Sequence, residues 1–179
     1  MTTLNKPDLL TAMAAHVRGT GLAGASLRPL ARAAGTSDRM LIYHFGTKGA
    51  LIGALLDHLA EEMLSALSAA LPQPRAETES ACAAEIVGLL RTPTFRPYLR
   101  VWCDIVSAAG RAEGDHVEAA RRILKGQVDW IASRLPEDMS RPTLRAREML
   151  TLIQGVLVME VAGMTDVADR ALARFYPAG

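Results

Sequence analysis

This chain of 179 residues has few aromatic side chains, few cysteines and no long uncharged apolar run. Aromatic residues make up 4% of the sequence, and no stretch alternates regularly between apolar and polar residues, which argues against a β-rich fold. No segment has the length and apolarity of a membrane-spanning helix, and the first twelve residues lack a signal-peptide pattern. We therefore expect a cytoplasmic protein without a membrane partner.

The residues that usually carry enzyme chemistry are also sparse. Cys82 and Cys103 are the only cysteines, and neither they nor the four histidines have the spacing of a metal site. Two reduced thiols are what a cytosolic protein ordinarily carries. The sequence also has no nucleophile elbow, no glycine-rich phosphate loop and no convincing pair of catalytic carboxylates. We therefore predict no catalytic residue, no cofactor and no metal, and hence no enzyme.

What the sequence does have is helical periodicity. Half of the residues are hydrophobic, which is enough for a sizeable core, and the helix formers Ala, Leu, Arg and Glu dominate. Glycines and prolines divide the pattern into about nine helices, so the predicted fold class is all-α. The predicted helices are 7–19, 27–34, 38–45, one from 47 to the break at Pro72–Pro74, 77–91, 95–109, 117–135, 143–163 and 165–176.

The net charge of +1 hides an uneven distribution of charge along the chain. Residues 1–50 carry six basic and two acidic side chains, a net charge of +4. The remaining residues carry 14 basic and 17 acidic side chains, a net charge of −3. A basic N-terminal part joined to an acidic remainder is suited to binding a polyanion at one end of the molecule.

Residues 26–49 have the pattern of a helix-turn-helix. Ser26 can cap the first helix, Gly35 can supply the left-handed residue that ends it, and Ser37 can cap the second helix. Leu41 and Phe45 are four residues apart in the second helix, so both face inward. Outward-facing positions are then Asp38, Arg39, Ile42 and Tyr43. Such a motif presents its second helix to the major groove of DNA.

The same residues resemble the signature of the tetracycline-repressor (TetR) family over about the first 65 positions. The resemblance rests on the run Ala34–Ser37, the run Leu41–Phe45, and Lys48 followed by Leu51. Thr36 stands where the family usually has Val, and Ile42 stands where it often has a Tyr that touches the DNA backbone. The resemblance implies a DNA-binding head, residues 1–50, and an effector-binding and dimerisation body, residues 51–179.

The outward-facing residues of the head have several interpretations. Arg39 is either a contact to a base or phosphate or a solvated surface arginine. Asp38 either accepts a hydrogen bond from a cytosine amine or interacts favourably with the positive end of the helix dipole. The resemblance implies that Arg28 reads a base and that Tyr43 and His44 contact phosphates, although His44 can equally pack on Phe45. The predicted DNA-binding residues are Ser26, Arg28, Ser37, Asp38, Arg39, Ile42, Tyr43, His44 and Lys48.

The body offers two further predictions, both guided by the resemblance. In related proteins, bulky residues on the fourth to seventh helices surround an inducer cavity, although Met and Trp at helical spacing are more often simple core. The candidate pocket residues are Leu59, Met63, Trp102, Cys103, Asp104, Val106 and Trp130. The aliphatic composition favours an apolar effector, whereas a buried carboxylate at Asp104 would need a partner such as a cationic ligand.

The predicted eighth helix is apolar on nearly all sides, which a surface helix does not require. It is either a central helix of a monomer or a helix that packs on a second copy of the chain. In TetR proteins the last two helices usually pair across a two-fold axis, which favours the homodimer. The predicted interface residues are Met149, Leu152, Ile153, Val156, Leu157, Glu160 and Gly163.

Together these observations predict a homodimeric, ligand-responsive transcriptional regulator, usually a repressor in such families. Its partners would be double-stranded operator DNA of palindromic sequence and an unidentified small-molecule effector. One alternative is an all-α ligand-binding or scaffold protein that has lost DNA binding, which would lack steeply salt-dependent affinity for DNA. A less favoured alternative is a small all-α enzyme, which measurable turnover would reveal.

Overall fold

The computed structural model describes residues 5–71, 73–111 and 116–177, and the described residues form nine α-helices and one short 3-10 helix. The all-α prediction is confirmed. Pro72 of the predicted break and residues 112–115 lie outside the described ranges. The elements are α1 (Lys6–Thr20), the 3-10 helix (Leu22–Gly24), α2 (Leu27–Ala33), α3 (Asp38–Phe45), α4 (Lys48–Ala70), α5 (Glu79–Leu90), α6 (Arg96–Gly110), α7 (His116–Arg134), α8 (Pro142–Val161) and α9 (Thr165–Phe175).

The helix ends follow local signals in the sequence. Asn5 accepts a hydrogen bond from the Asp8 backbone N–H at 3.0 Å and caps α1, while Thr78 caps α5 through the Ala81 backbone N–H at 3.0 Å. Gly21, at φ 77°, ends α1. The 3-10 helix that follows was not predicted, because three residues are too few to show a period.

The chain divides into two compact units. The first unit comprises α1 to α3, α4 as far as Met63, α6, and α7 as far as Ile123. Its core joins leucines of the N-terminal helices to apolar residues of α6 and α7 in one cluster. That cluster includes Leu9, Met13, Val17, Leu30, Leu41, Leu51, Leu55, Val101, Ile105 and Ile123.

The second unit contains α5, α8, α9 and the remaining parts of α4 and α7. Its buried side chains include Ile86, Ile131, Met149 and Ile153. Arg134 is buried here, and its guanidinium donates to the Gln73 carbonyl oxygen and to the Glu85 carboxylate. A buried charge is tolerated only with such partners, so this arginine ties the C-terminal end of α7 to two other segments of the unit.

No helix in the described part of the chain combines the length and apolarity needed to cross a membrane.

Candidate nucleic-acid interface

The turn between α2 and α3 has the geometry that its sequence predicts. Gly35 adopts φ 63°, and the Thr36 backbone N–H donates to the Ala31 carbonyl oxygen at 2.9 Å, closing the end of α2. Ser37 then accepts from the Met40 backbone N–H at 3.3 Å and caps α3. Ser26 lies at the N-cap of α2, as predicted, but its side chain makes no capping hydrogen bond.

The two sides of α3 have different surroundings. Leu41 is fully buried, and Phe45 is partly buried against the same core, with the Lys6 ammonium 5.7 Å from its ring centroid. On the other side, Arg39 is exposed and 78% of Tyr43 is accessible. The buried side of α3 therefore packs in the core. Its exposed side is accessible to a partner as large as double-stranded DNA.

The ring of His44 packs edge-on against Tyr43 rather than remaining isolated. The two ring centroids are 5.5 Å apart with an interplanar angle of 78°. Because Tyr43 is largely exposed, this contact places both rings at the surface of α3. His44 is itself partly exposed, so it can still offer a ring nitrogen to a phosphate oxygen.

All nine predicted DNA-binding residues are at least partly exposed. Arg28 is exposed in the first turn of α2, and Lys48 is exposed as the first residue of α4. Thr47 caps α4 by accepting from the Ala50 backbone N–H at 3.1 Å, which leaves Lys48 next to the positive end of the helix. The partly exposed members are Asp38, Ile42 and His44, and the exposed members are Ser26, Arg28, Ser37, Arg39, Tyr43 and Lys48.

Within the first unit, α6 holds the end of α1 and the start of the 3-10 helix. Arg100 donates to the backbone oxygens of Arg18 at 2.6 Å and Gly19 at 3.3 Å, where α1 ends. The carboxylate of Asp104 accepts from the Leu22 backbone N–H at 2.8 Å. These contacts were missed from the sequence, because the partners are about eighty positions apart and no local pattern relates them.

The predicted effector-pocket residues occupy different environments. Leu59 is buried in the core of the first unit, Met63 and Trp102 are partly buried, and Cys103 and Val106 are exposed on α6. Asp104 lines a cavity of the first unit. In the second unit, the Trp130 indole N–H donates to the Ser68 hydroxyl at 2.7 Å.

The predicted interface residues of α8 differ in their exposure, and the interface itself stays a prediction. Met149, Ile153, Val156 and Leu157 are buried in the core of their own chain, so they are not accessible to a second copy. Glu160 binds Arg91 at 2.6 Å, Leu152 is partly exposed, and Gly163 is exposed. The exposed large apolar residues of α8, α9 and the turn between them are Leu144, Val158, Met159, Val161, Met164, Val167 and Phe175.

Comparisons with known proteins agree with this geometry. Residues 9–55 match the family described as bacterial regulatory proteins, tetR family. The chain is 25% identical over 146 residues to the HTH-type transcriptional regulator BetI of Paraburkholderia phymatum, an alignment that covers 79% of this chain and 74% of that protein. It is 27% identical over 150 residues to BetI of Paraburkholderia phytofirmans, which covers 82% of this chain and 73% of that protein.

Solved structures share the fold over almost the whole chain. The multidrug binding protein EbrR, crystallised with imidazole, superimposes with a TM-score of 0.67 at 22% identity and covers 97% of this chain and 90% of its own. A TetR-family regulator of unassigned role from Rhodococcus sp. superimposes with a TM-score of 0.67 at 18% identity, covering 94% of each chain. The helix-turn-helix over residues 27–45, the family match over residues 9–55 and these relatives identify the chain as a DNA-binding transcriptional regulator that is similar to those of the TetR family.

Proposed function

We propose that the chain is a ligand-responsive repressor that binds a palindromic operator as a homodimer. In this proposal α3 enters the major groove, and the surrounding side chains from α2 and α4 bind the flanking phosphates. The proposal gives the chain a regulatory role and no catalysis. The described residues also contain no group of three or more His, Cys, Asp or Glu side chains that could hold a metal ion.

The observation that carries the proposal is the division of α3 into a buried and an exposed side. Leu41 anchors the helix in the core, while Arg39 and Tyr43 project from its opposite side. An exposed arginine near the N-terminal end of a recognition helix can donate two hydrogen bonds to a guanine edge. Arg28 and Lys48 add positive charge beside it, which favours the phosphate backbone on either side of the groove.

The accessible apolar surface of α8 and α9 supports the homodimer. Val158, Val161 and Phe175 are respectively 59%, 72% and 68% exposed. Burying such side chains stabilises association by about 25 cal/mol per Å² of apolar area removed from water. A second copy that covers this surface would place two recognition helices in one particle, which is why we propose a palindromic site.

The response to a ligand is proposed from a solved structure of the same fold. EbrR, a protein of the same fold, is named for binding multiple drugs and was crystallised with a small molecule. A chain of this fold can therefore hold a small molecule, and we propose that one modulates DNA binding here. Effector binding would act by favouring one of two conformations of the dimer that differ in affinity for the operator.

Selection of random duplex DNA on the purified full-length chain, followed by sequencing, tests the proposal. We expect an enriched palindrome whose half-sites lie about one helical turn or a multiple apart. Binding to that sequence should weaken steeply as salt concentration rises, since phosphate contacts release counterions. Recovery of no preferred sequence by a folded chain would contradict the proposal and favour a ligand-binding protein without an operator.

A further inference from the structure

One methionine of α3 is exposed on the side of the helix that carries the predicted DNA contacts. Met40 is 41% accessible to solvent, whereas Met13 is fully buried and Met63 is partly buried in the same unit. Among the described residues of α1 to α4, the large apolar side chains that are exposed are Met40 and Tyr43. The DNA-binding residues predicted from the sequence do not include Met40. Its side chain is therefore an additional apolar group on a surface whose predicted contacts are mainly polar.

Met40 lies in the first turn of α3. Ser37 is the N-cap, and its side chain accepts a hydrogen bond from the Met40 backbone N–H at 3.3 Å. The helix begins at Asp38, so Met40 is its third residue. In a helix-turn-helix, the N-terminal residues of the recognition helix contact the base edges in the major groove. The position of Met40 therefore favours contact with a base over contact with the phosphates at the rim of the groove.

The neighbours of Met40 differ from it in chemistry. Arg39 is exposed next to it, and Tyr43, three residues further on, shares its side of the helix. The guanidinium of Arg39 donates hydrogen bonds, and the Tyr43 hydroxyl both donates and accepts them. The Met40 thioether donates none and accepts only weakly, so its contribution to binding is apolar contact.

The major groove offers an apolar group for such a contact. Thymine presents its C5-methyl group there, beside the hydrogen-bond donors and acceptors of the base edges. Methionine is unbranched and flexible, so its side chain can adjust to a methyl group that is fixed on the DNA. We propose that Met40 contacts the C5-methyl group of a thymine in each half-site of the operator. This inference rests on the operator binding proposed above and adds the identity of one base.

Ile42 is another apolar side chain of α3 that reaches the surface. It is only partly exposed and directly follows the fully buried Leu41. Its β-branched side chain is also shorter than that of methionine and is stiff at χ1. Met40 is both more exposed and longer, which is why we assign the methyl contact to Met40.

Uracil in place of thymine tests the contact, because it removes the methyl group and keeps the hydrogen bonds of the base pair. The probe is the duplex operator found by selection, with uracil at one thymine position of both half-sites at a time. Fluorescence anisotropy gives the dissociation constants of the full-length chain. We expect one position at which uracil weakens wild-type binding about fourfold for each methyl group, hence about sixteenfold for two. If uracil changes the affinity at no thymine, the inference is overturned.

Substitution of Met40 assigns the effect to this side chain. Met40→Ala should bind the operator more weakly, and it should bind the thymine and uracil forms of the sensitive position equally. Met40→Leu keeps an apolar side chain of similar size and should retain the preference for thymine. Met40→Gln has a polar amide at similar length and should lose it. A Met40→Ala variant with the wild-type preference at every thymine would overturn the inference, and loss of the preference in Ile42→Ala alone would transfer the contact to Ile42.

Two controls separate the contact from general damage to the protein. Val117 is a 37% exposed apolar residue of α7, so Val117→Ala should change neither the operator affinity nor the preference for thymine. Thermal unfolding of Met40→Ala should match that of the wild type, because the side chain is exposed. Equal loss of the preference in Val117→Ala and Met40→Ala would overturn the assignment to Met40.

The same measurements distinguish failure of this inference from failure of the proposed function. If the chain selects no operator, the function proposed above fails, and the methyl contact fails with it. If an operator is found and uracil has no effect, only the methyl contact fails. If the chain binds a single half-site, the homodimer fails, and a single uracil still decides the contact, with an expected loss of about fourfold.

Discussion

At the scale of single residues, α3 places its predicted DNA contacts and its core residues at different positions. Leu41 is fully buried, so its contribution is the apolar area that it removes from water. Arg39, two positions earlier, is exposed, so little of the folding free energy depends on it. Substitutions at these two positions should therefore change different measured quantities, although they are neighbours in the sequence.

Replacing Arg39 by alanine tests recognition. We expect Arg39→Ala to lose about 1–3 kcal/mol of discrimination between the operator and a site altered at one base pair, because a bidentate base contact disappears. Fluorescence anisotropy with both duplexes measures this difference. In urea unfolding, the free energy of unfolding of Arg39→Ala should equal that of the wild type within about 0.5 kcal/mol. Arg121→Ala removes an exposed arginine from α7 and serves as the control. Unchanged sequence preference in Arg39→Ala would remove Arg39 from the recognition surface.

The thiol of Cys82 predicts a dependence of stability on pH. Burial raises the pKa of this thiol from 9.0 to about 11, and the nearby Arg134 guanidinium only partly offsets the effect. Between these values the unfolded chain releases the thiol proton while the folded chain keeps it, so the free energy of unfolding should fall as pH rises from about 9 to 11.

Urea unfolding of the wild type and of Cys82→Ala at several pH values isolates this effect. Lysines and tyrosines titrate in the same range, so the informative quantity is the difference between the two proteins. That difference should decline from pH 9 to pH 11 if the buried thiol is responsible. A constant difference would show that the thiol ionises equally in both states. Cys103→Ala, at an exposed position of α6, provides the comparison.

At the scale of elements, the turn of the helix-turn-helix depends on a left-handed residue. Gly35 has φ 63° and no neighbouring atom within 4 Å of the position that a Cβ would take, so a substitution there is opposed by the backbone alone. Gly88 lies inside α5, also with open space but without a positive φ. These two glycines form a matched pair in which only the backbone conformation differs.

Alanine at the two positions should change stability in opposite directions. We expect Gly35→Ala to lower the free energy of unfolding by about 1 kcal/mol or more, since alanine disfavours the left-handed region. Gly88→Ala should raise it by about 0.5–1 kcal/mol, since alanine is the better helix former. Thermal or urea unfolding measures both. A stabilising Gly35→Ala would contradict the description of this turn.

The sequence alone predicted the bounds of some helices but not which faces of them are buried. Helix α3 was predicted at the residues that it occupies, because the Ser37 cap and the Leu41–Phe45 spacing are both local signals. The inward face of α8 could not be predicted. Its residues are apolar on nearly every side, so the periodicity does not distinguish a buried face from an exposed one. The DNA contacts predicted from the head remain predictions, although every residue involved is accessible.

At the scale of the whole molecule, the proposed dimer depends on apolar side chains that the chain does not bury itself. Val158 is 59% exposed on α8, and a carboxylate there would have to be desolvated in the interface. We expect Val158→Glu to be a folded monomer in analytical ultracentrifugation at concentrations where the wild type is a dimer. It should also bind the palindrome more weakly, because two half-sites are no longer engaged together.

A control for this substitution comes from another exposed valine. Val117 is 37% exposed on α7, outside α8 and α9, so Val117→Glu should leave the association state unchanged. Dimeric Val158→Glu would move the interface away from this surface. Monomeric Val117→Glu with dimeric Val158→Glu would place it near the start of α7 instead.

The bonds from α6 to the end of α1 and to the 3-10 helix have a consequence for how such a protein can be recombined. Arg100 and Asp104 hold backbone groups of residues 18–22, and Val101 and Ile105 complete the core that Leu9 and Leu41 begin. A chimera that transplants only the N-terminal helices onto another regulator would leave this core incomplete. We therefore expect exchange of DNA specificity between relatives to work best as substitutions on the exposed side of α3, with the supporting helices kept together.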